Sequence, residues 1–407
     1  MRNSWVRVGR LPLLALLCSV ICAVALSACG SSDSSSSSSG QSTGDDATGE
    51  TVSSGGSWAS SPEGKKVNAI VEELYEGSYD PPPKSGPPAQ SGKTVWYISC
   101  GQEYEACVQQ ADAFKEAGSK LGWNVTVHDT KAVQQAYGEI IKQAIAAKVD
   151  GIATLAGDCP NMKSALEEAK DAGIPVVNYA GLDCDYEGFG GGEPLFTETL
   201  FYAGYHDFIE QGEAYARDRG IVAIQHMQGE GEILNLEVQA VAADEGYTRG
   251  FRQAFDEFCP DCEVIGVPFT LDQVPTKASQ VWAAAIQSHP DADSLSNPLD
   301  AFMALGLKTT LIGADRDLWV IGAEVPPANL KLIEEGLQGA GLAVSGYVWP
   351  MWGMADTLNR VFAGSEEFPD EGGGWILVDK THNMPPAGQQ VEPPVDFKAA
   401  YEKVWNG

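Results

Sequence analysis

The sequence predicts an α/β protein made of two doubly wound, parallel-sheet lobes, and three observations lead there. Short β-rich runs alternate with helical patterns for most of the chain. The alternation breaks once, at the glycine-rich stretch Gly188–Gly192, and then resumes. Its 407 residues, 43% of them hydrophobic and 20% charged, suffice for one or two cores without disulfides or metals.

The first series opens with the strand Val95–Ser99 and the helix Ala106–Leu121. Next come strand Trp123–His128, helix Val133–Ala147, strand Gly151–Leu155, helix Met162–Ala172 and strand Pro175–Tyr179. Gly118, Gly122, Gly151 and Gly173 fall between elements, where helix ends favour glycine. Repeated βα units of this length imply a parallel sheet. The second series is read as helix Tyr205–Arg217, strand Ile221–His226, helix Tyr247–Phe258, strand Glu263–Phe269, helix Lys277–Ser288 and strand Ala292–Leu295. Strand Leu318–Ala323, helix Asn329–Gly336 and strand Leu342–Trp349 complete it. In open α/β sheets a ligand sits at the carboxyl ends of the strands, so two lobes imply a shared cleft.

The amino terminus sets the compartment. Arg2, Arg7 and Arg10 precede the apolar stretch Leu11–Leu26, which ends in Leu26-Ser27-Ala28-Cys29. A charged start, a short apolar run and small residues read as a secretory signal over 1–28, and the ending resembles the bacterial lipobox. Cys29 is then the lipidation site, anchoring the chain outside the cell membrane. Residues 29–92 read as a tether, rich in serine and glycine and then in proline, with one short amphipathic helix expected at Lys65–Leu74. Gly92-Lys93-Thr94 fails as a phosphate loop, because a strand follows where a helix is required.

Asp and Glu total 56 against 26 Lys and Arg, a formal charge of −30. Such a surface repels phosphate backbones, which argues against nucleic-acid binding. With Cys18 and Cys22 in the signal and Cys29 acylated, six of nine cysteines remain in an oxidising place. Fifteen pairings are open; the expected set is Cys100–Cys107, Cys159–Cys184 and Cys259–Cys262. Cys259-Pro260-Asp261-Cys262 has redox-dithiol spacing, but it closes a helix and precedes a strand, the reverse of an active redox motif, so a staple is expected. The five histidines are scattered singly, no nucleophile elbow or dinucleotide fingerprint is present, and neither a metal, a cofactor nor an enzymatic activity is expected.

Asp150-Gly151-Ile152, Ala169–Val177 (AKDAGIPVV), Arg249-Gly250-Phe251, His289-Pro290-Asp291, Met303-Ala304-Leu305-Gly306, Ile321-Gly322-Ala323-Glu324 and Ile376–Asn383 occur in this order. Together they resemble the type I periplasmic solute-binding proteins of ABC importers, in their ribose and sugar-binding branch, over Lys93–Trp405. The resemblance implies a monomeric, lipid-anchored receptor that closes over a sugar-like ligand and delivers it to an ABC permease; the alternative is a sensor presenting its ligand to a signalling receptor. It also implies a three-stranded hinge, placed near Gly181–Tyr186, Tyr347–Pro350 and Asp379–Asn383. Lobe one is then 93–182 with 348–380, and lobe two 183–347 with 381–407.

The resemblance assigns ligand contacts to Asp158, Asp300 and Glu324, whose carboxylates suit sugar hydroxyls. It adds the aromatic residues Tyr104, Tyr347, Trp349 and Trp352, whose faces suit the C–H side of a sugar ring. The cation that sugar binders carry before their Gly-Phe pair is replaced here by Glu245 and Tyr247. The absence of that cation favours a neutral polyhydroxy or a cationic ligand over an anion.

Overall fold

The computed structural model describes residues 58–407 except 240, 275, 345 and 346; the signal and Cys29 lie outside the described residues. In chain order, helix α1 (Pro62–Glu76) and strand β1 (Ser78–Asp80) come first. Then follow β2 (Thr94–Ser99), α2 (Glu105–Lys120), β3 (Asn124–Asp129), α3 (Ala136–Ala147), β4 (Gly151–Leu155), α4 (Lys163–Asp171), β5 (Val176–Tyr179) and β6 (Glu198–Thr199). The next group is α5 (Phe208–His226), β7 (Glu232–Gln239), α6 (Ala242–Phe258), β8 (Glu263–Thr270), α7 (Ala278–Ser288) and β9 (Ala292–Ser296). The chain closes with α8 (Lys308–Gly313), β10 (Trp319–Ala323), α9 (Pro327–Glu335), β11 (Ala340–Val344), α10 (Trp349–Ala363), β12 (Gly373–Asp379) and α11 (Phe397–Asn406).

Two sheets result. One has the order β3-β2-β4-β5-β6 and is parallel throughout; the other runs β1-β12-β11-β10-β9-β7-β8, with only β1 and β12 antiparallel to their neighbours. Strand β4 is buried from Gly151 to Leu155, as a central strand covered on both faces must be.

Several expected elements lie elsewhere. Ile221–His226 is not a strand but the last turns of α5, and the true strand is β7, which the alternation reading passed over. The cause is burial: α5 is packed among α1, α6 and β10, so Ile221, Val222, Ala223 and Ile224 are all core residues. A turn buried on every side loses the 3.6-residue signature. Leu342–Trp349 likewise stops as strand at Val344, and Trp349 opens α10 with Pro350 in its first turn, where proline's missing N–H costs nothing.

The lobe boundaries move as well. Tail strand β12 pairs β11 in the large sheet instead of belonging to lobe one, whereas α11 packs on α10 beside the small sheet instead of in lobe two. Gly181–Tyr186 stays with the small sheet, which β6 extends beyond it. Residues 62–80 are not tether: Val67, Val71 and Leu74 of α1 enter the large-sheet core and β1 pairs β12. Ser61 caps α1 by accepting from the Gly64 amide at 2.9 Å.

Disulfides join Cys100 to Cys107, Cys159 to Cys184 and Cys259 to Cys262, with Cα–Cα distances of 5.8, 5.2 and 5.3 Å. Among the described residues no helix is long and apolar enough to cross a membrane.

Candidate functional site

A cavity of about 540 Å³ opens where the carboxyl ends of β4, β5, β10 and β11 meet α2, α5 and α6. That volume lies in the ordinary range for small-molecule sites. Both lobes line it, with Tyr104, Gln110 and Tyr179 from the small-sheet side and Gln211, Tyr247 and Phe302 from the other.

Backbone geometry at the strand ends shapes the walls. Ala156, Ala180 and Glu324, each just past a strand, have φ of 59°, 59° and 54°, a left-handed conformation that non-glycine residues adopt only when neighbours hold them there. At β10 the holding groups are explicit. Asp300 accepts the Ala323 amide at 3.0 Å and the Val325 amide at 2.9 Å, and the Tyr215 hydroxyl accepts the Glu324 amide at 2.9 Å. Three successive amides are thus fixed, and the Glu324 side chain projects from that turn onto the cavity wall.

Among the described residues Glu324 is the only charged side chain on this wall. Burial raises its pKa, and a hydrogen bond from Tyr347 pulls it back down. Behind it the buried Arg219 is spent on protein: its guanidinium donates to the Gly322 carbonyl at 3.1 Å, the Ser296 hydroxyl at 2.8 Å and the Asn297 carbonyl at 2.7 Å. Burial and the neighbouring Glu324 push the Asp300 carboxyl up to about 8.

The rest of the wall is aromatic. Tyr179 meets Tyr202 and Phe208 edge-to-face at 5.7 Å each, and Tyr215 meets Trp375 at 5.4 Å and Tyr247 at 6.2 Å. Such contacts lock the rings in place. Gln134 donates to the Ala156 carbonyl at 2.9 Å, bracing the first of the left-handed corners.

The residues read from the sequence are distributed unevenly. Glu324, Tyr347 and Tyr104 are brought together on the cavity. Asp300 is fully buried and serves the backbone beneath Glu324, so its position corrects the expected ligand contact. Trp349 and Trp352 are also corrected. Both are fully buried, Trp349 stacking on Phe397 at 4.8 Å and Trp352 on Trp405 at 5.5 Å, because they sit on helix α10 and face α11. Asp158 lies on a second, wider cavity of about 710 Å³, with Asn161, Tyr186, Gln239, Asp244 and Glu245. Its carboxylate accepts the Leu182 amide at 3.0 Å, tying neighbouring loops that Cys159–Cys184 also joins. In that cavity Arg249 is paired with Glu213 at 2.6 Å, and the Tyr186 hydroxyl donates to Glu245 at 3.2 Å.

Sequence reasoning missed Gln110, Gln134, Tyr137, Tyr179, Gln211, Tyr215 and Trp375, and marked Tyr247 only as a replacement for the family's cation. Tyr179 alone carried a local signal, as the last residue of a strand.

The periplasmic binding protein domain family matches residues 102–364. No curated protein matches the chain. Among solved structures, a solute-binding protein of an ABC transporter from Mycobacterium smegmatis with bound glycerol is 21% identical. The alignment covers 74% of this chain and 98% of that one, with a TM-score of 0.59. A periplasmic solute-binding protein of an ABC transporter from Actinobacillus succinogenes with bound D-allose is 18% identical over 71% of this chain and 98% of that one, with a TM-score of 0.57. A glucose-galactose binding protein from Geobacillus stearothermophilus is 16% identical over 72% and 98%, with a TM-score of 0.59. With two wound sheets, a cleft lined from both and a family match across most of the folded region, the chain belongs to the periplasmic binding protein domain family.

Proposed function

We infer that the chain is the solute receptor of an ABC importer, anchored outside the cell through a lipid on Cys29. It captures one small organic molecule, of the size of a sugar or polyol, and presents it to the permease. One observation carries this reading: a cavity of ligand size at the strand ends, lined from both lobes. Tyrosine faces and the Glu324 carboxylate supply the stacking and hydrogen-bonding partners that a compact polar solute requires. Binding stabilises the closed arrangement of the lobes, and closure is the state a permease reads.

The test is calorimetry of the full chain carrying Cys29→Ser against sugars, polyols and polyamines, with small-angle scattering alongside. Saturable binding of one class, accompanied by a smaller radius of gyration, is expected. A chain that binds no small molecule and scatters identically throughout is not a solute receptor.

A further inference from the structure

The chemistry of this cavity narrows the solute class, on the reading that it is the ligand site. A neutral polyol needs many polar partners, yet three of the lining tyrosines have hydroxyls engaged by protein. Tyr215 donates to the Leu342 carbonyl at 2.6 Å and accepts from Glu324, Tyr137 donates to the Leu155 carbonyl, and Tyr347 bonds Glu324. Beside them the partly exposed Tyr179 and Tyr247 add aromatic surface to the cavity wall. A neutral apolar solute would use that surface but leave Glu324 as a desolvated carboxylate with no use. Such a charge is costly unless paired, and it makes no ion pair with any lysine, arginine or histidine among the described residues.

An organic cation uses both features. The negative faces of tyrosine rings attract a positive charge, and a carboxylate at the base of the same wall neutralises it. Tyr215 touches Glu324 directly, its hydroxyl accepting the Glu324 amide at 2.9 Å, and Tyr247 and Tyr347 line the same cavity. With a net charge of −30 the chain also draws cations from solution. The volume of about 540 Å³ exceeds what a bare ammonium fills, which leaves room for an alkyl or aryl body against Phe302 and Leu305.

We propose that the solute carries a positively charged nitrogen: an alkyl- or arylammonium compound whose cationic head lies against Glu324 and the Tyr215, Tyr247 and Tyr347 rings. Calorimetry with matched pairs tests it. Choline is set against 3,3-dimethylbutan-1-ol, tyramine against 4-ethylphenol, with D-glucose, D-allose and glycerol as neutral polyols. At least one cation should bind tenfold or more tightly than its neutral counterpart. Glu324→Gln should weaken the cation and remove that preference while leaving the melting temperature intact. Tyr247→Leu should weaken the cation more than the neutral partner.

Sugars or glycerol binding where no cation does overturns the proposal and leaves the receptor reading standing. Equal binding within each pair, or a preference that survives Glu324→Gln, also overturns it. If no panel member binds and scattering never changes, both readings fall together.

Discussion

Asp300 shows how one side chain can serve a site without touching its ligand. Its two oxygens take the amides on either side of Glu324 and hold that residue in a left-handed turn. Asp300→Ala strands two buried N–H groups beside a buried arginine, so a loss on the order of 3 kcal/mol is expected. Asp300→Asn should cost about half as much. Burial already favours the neutral acid, and asparagine keeps one acceptor but turns an N–H₂ toward the second amide. Urea unfolding of the ligand-free variants measures both. A ligand contact would instead lose affinity at unchanged stability, and equal losses in the two variants would refute the backbone role. The sequence placed Asp300 near the site but could not say which way it faces, because an Asp before a helix reads the same whether it binds a solute or a turn. Glu324, Tyr347 and Tyr104 were legible because the family resemblance puts pocket positions there. Gln211 and Tyr215 were not, since they come from a helix whose approach to the cleft is set by long-range packing.

At the scale of elements, α5 and α6 pack tightly against each other, and glycine makes the approach possible. A Cβ on Gly250 would lie 1.9 Å from the Glu213 carbonyl oxygen, and one on Gly246 would lie 2.4 Å from that of Ile209. Gly250→Ala must therefore push the helices apart, and it should cost about 1–3 kcal/mol despite alanine's better helix propensity. Gly313→Ala is the internal control: a Cβ there meets nothing within 4 Å, so the change should be neutral or slightly stabilising by urea titration. Equal effects at the two positions would mean the crossing tolerates a methyl group. This crossing also explains where the alternation reading lost its way. Amphipathic elements such as α2 and α4 announced themselves, because one face of each meets water. The last turns of α5 are buried, so the apolar run Ile221–Ile224 looked like a strand and hid β7 immediately after it. The tail misled for another reason: β12 and α11 join opposite lobes, and only the ladder with β11 and the packing on α10 decide which.

For the molecule as a whole, the carboxylates gathered under the cleft set how stability follows pH. Burial pushes Asp218 up to about 6, Asp244 to about 7 and Asp300 to about 8, whereas in the unfolded chain each titrates near 4. Between the unfolded and folded values the native state holds more protons than the unfolded one, so stability falls as pH rises. The decline should begin near pH 4 and flatten as each folded-state value is passed, the last near 8. The apoprotein should therefore melt higher at pH 5 than at pH 8. Repulsion across a surface of net charge −30 pushes in the same direction, but salt screens exposed charges and barely touches buried ones. Melting in 0.5 M sodium chloride separates the two sources: the drop from pH 5 to pH 8 should shrink but persist. Asp218→Asn, which keeps an acceptor for the Trp375 indole at 2.8 Å, should remove the part of the drop lying between about pH 4 and 6. A pH profile that becomes flat in salt, or that Asp218→Asn leaves unaltered, would place the whole dependence on the surface and leave the buried carboxylates without a thermodynamic role.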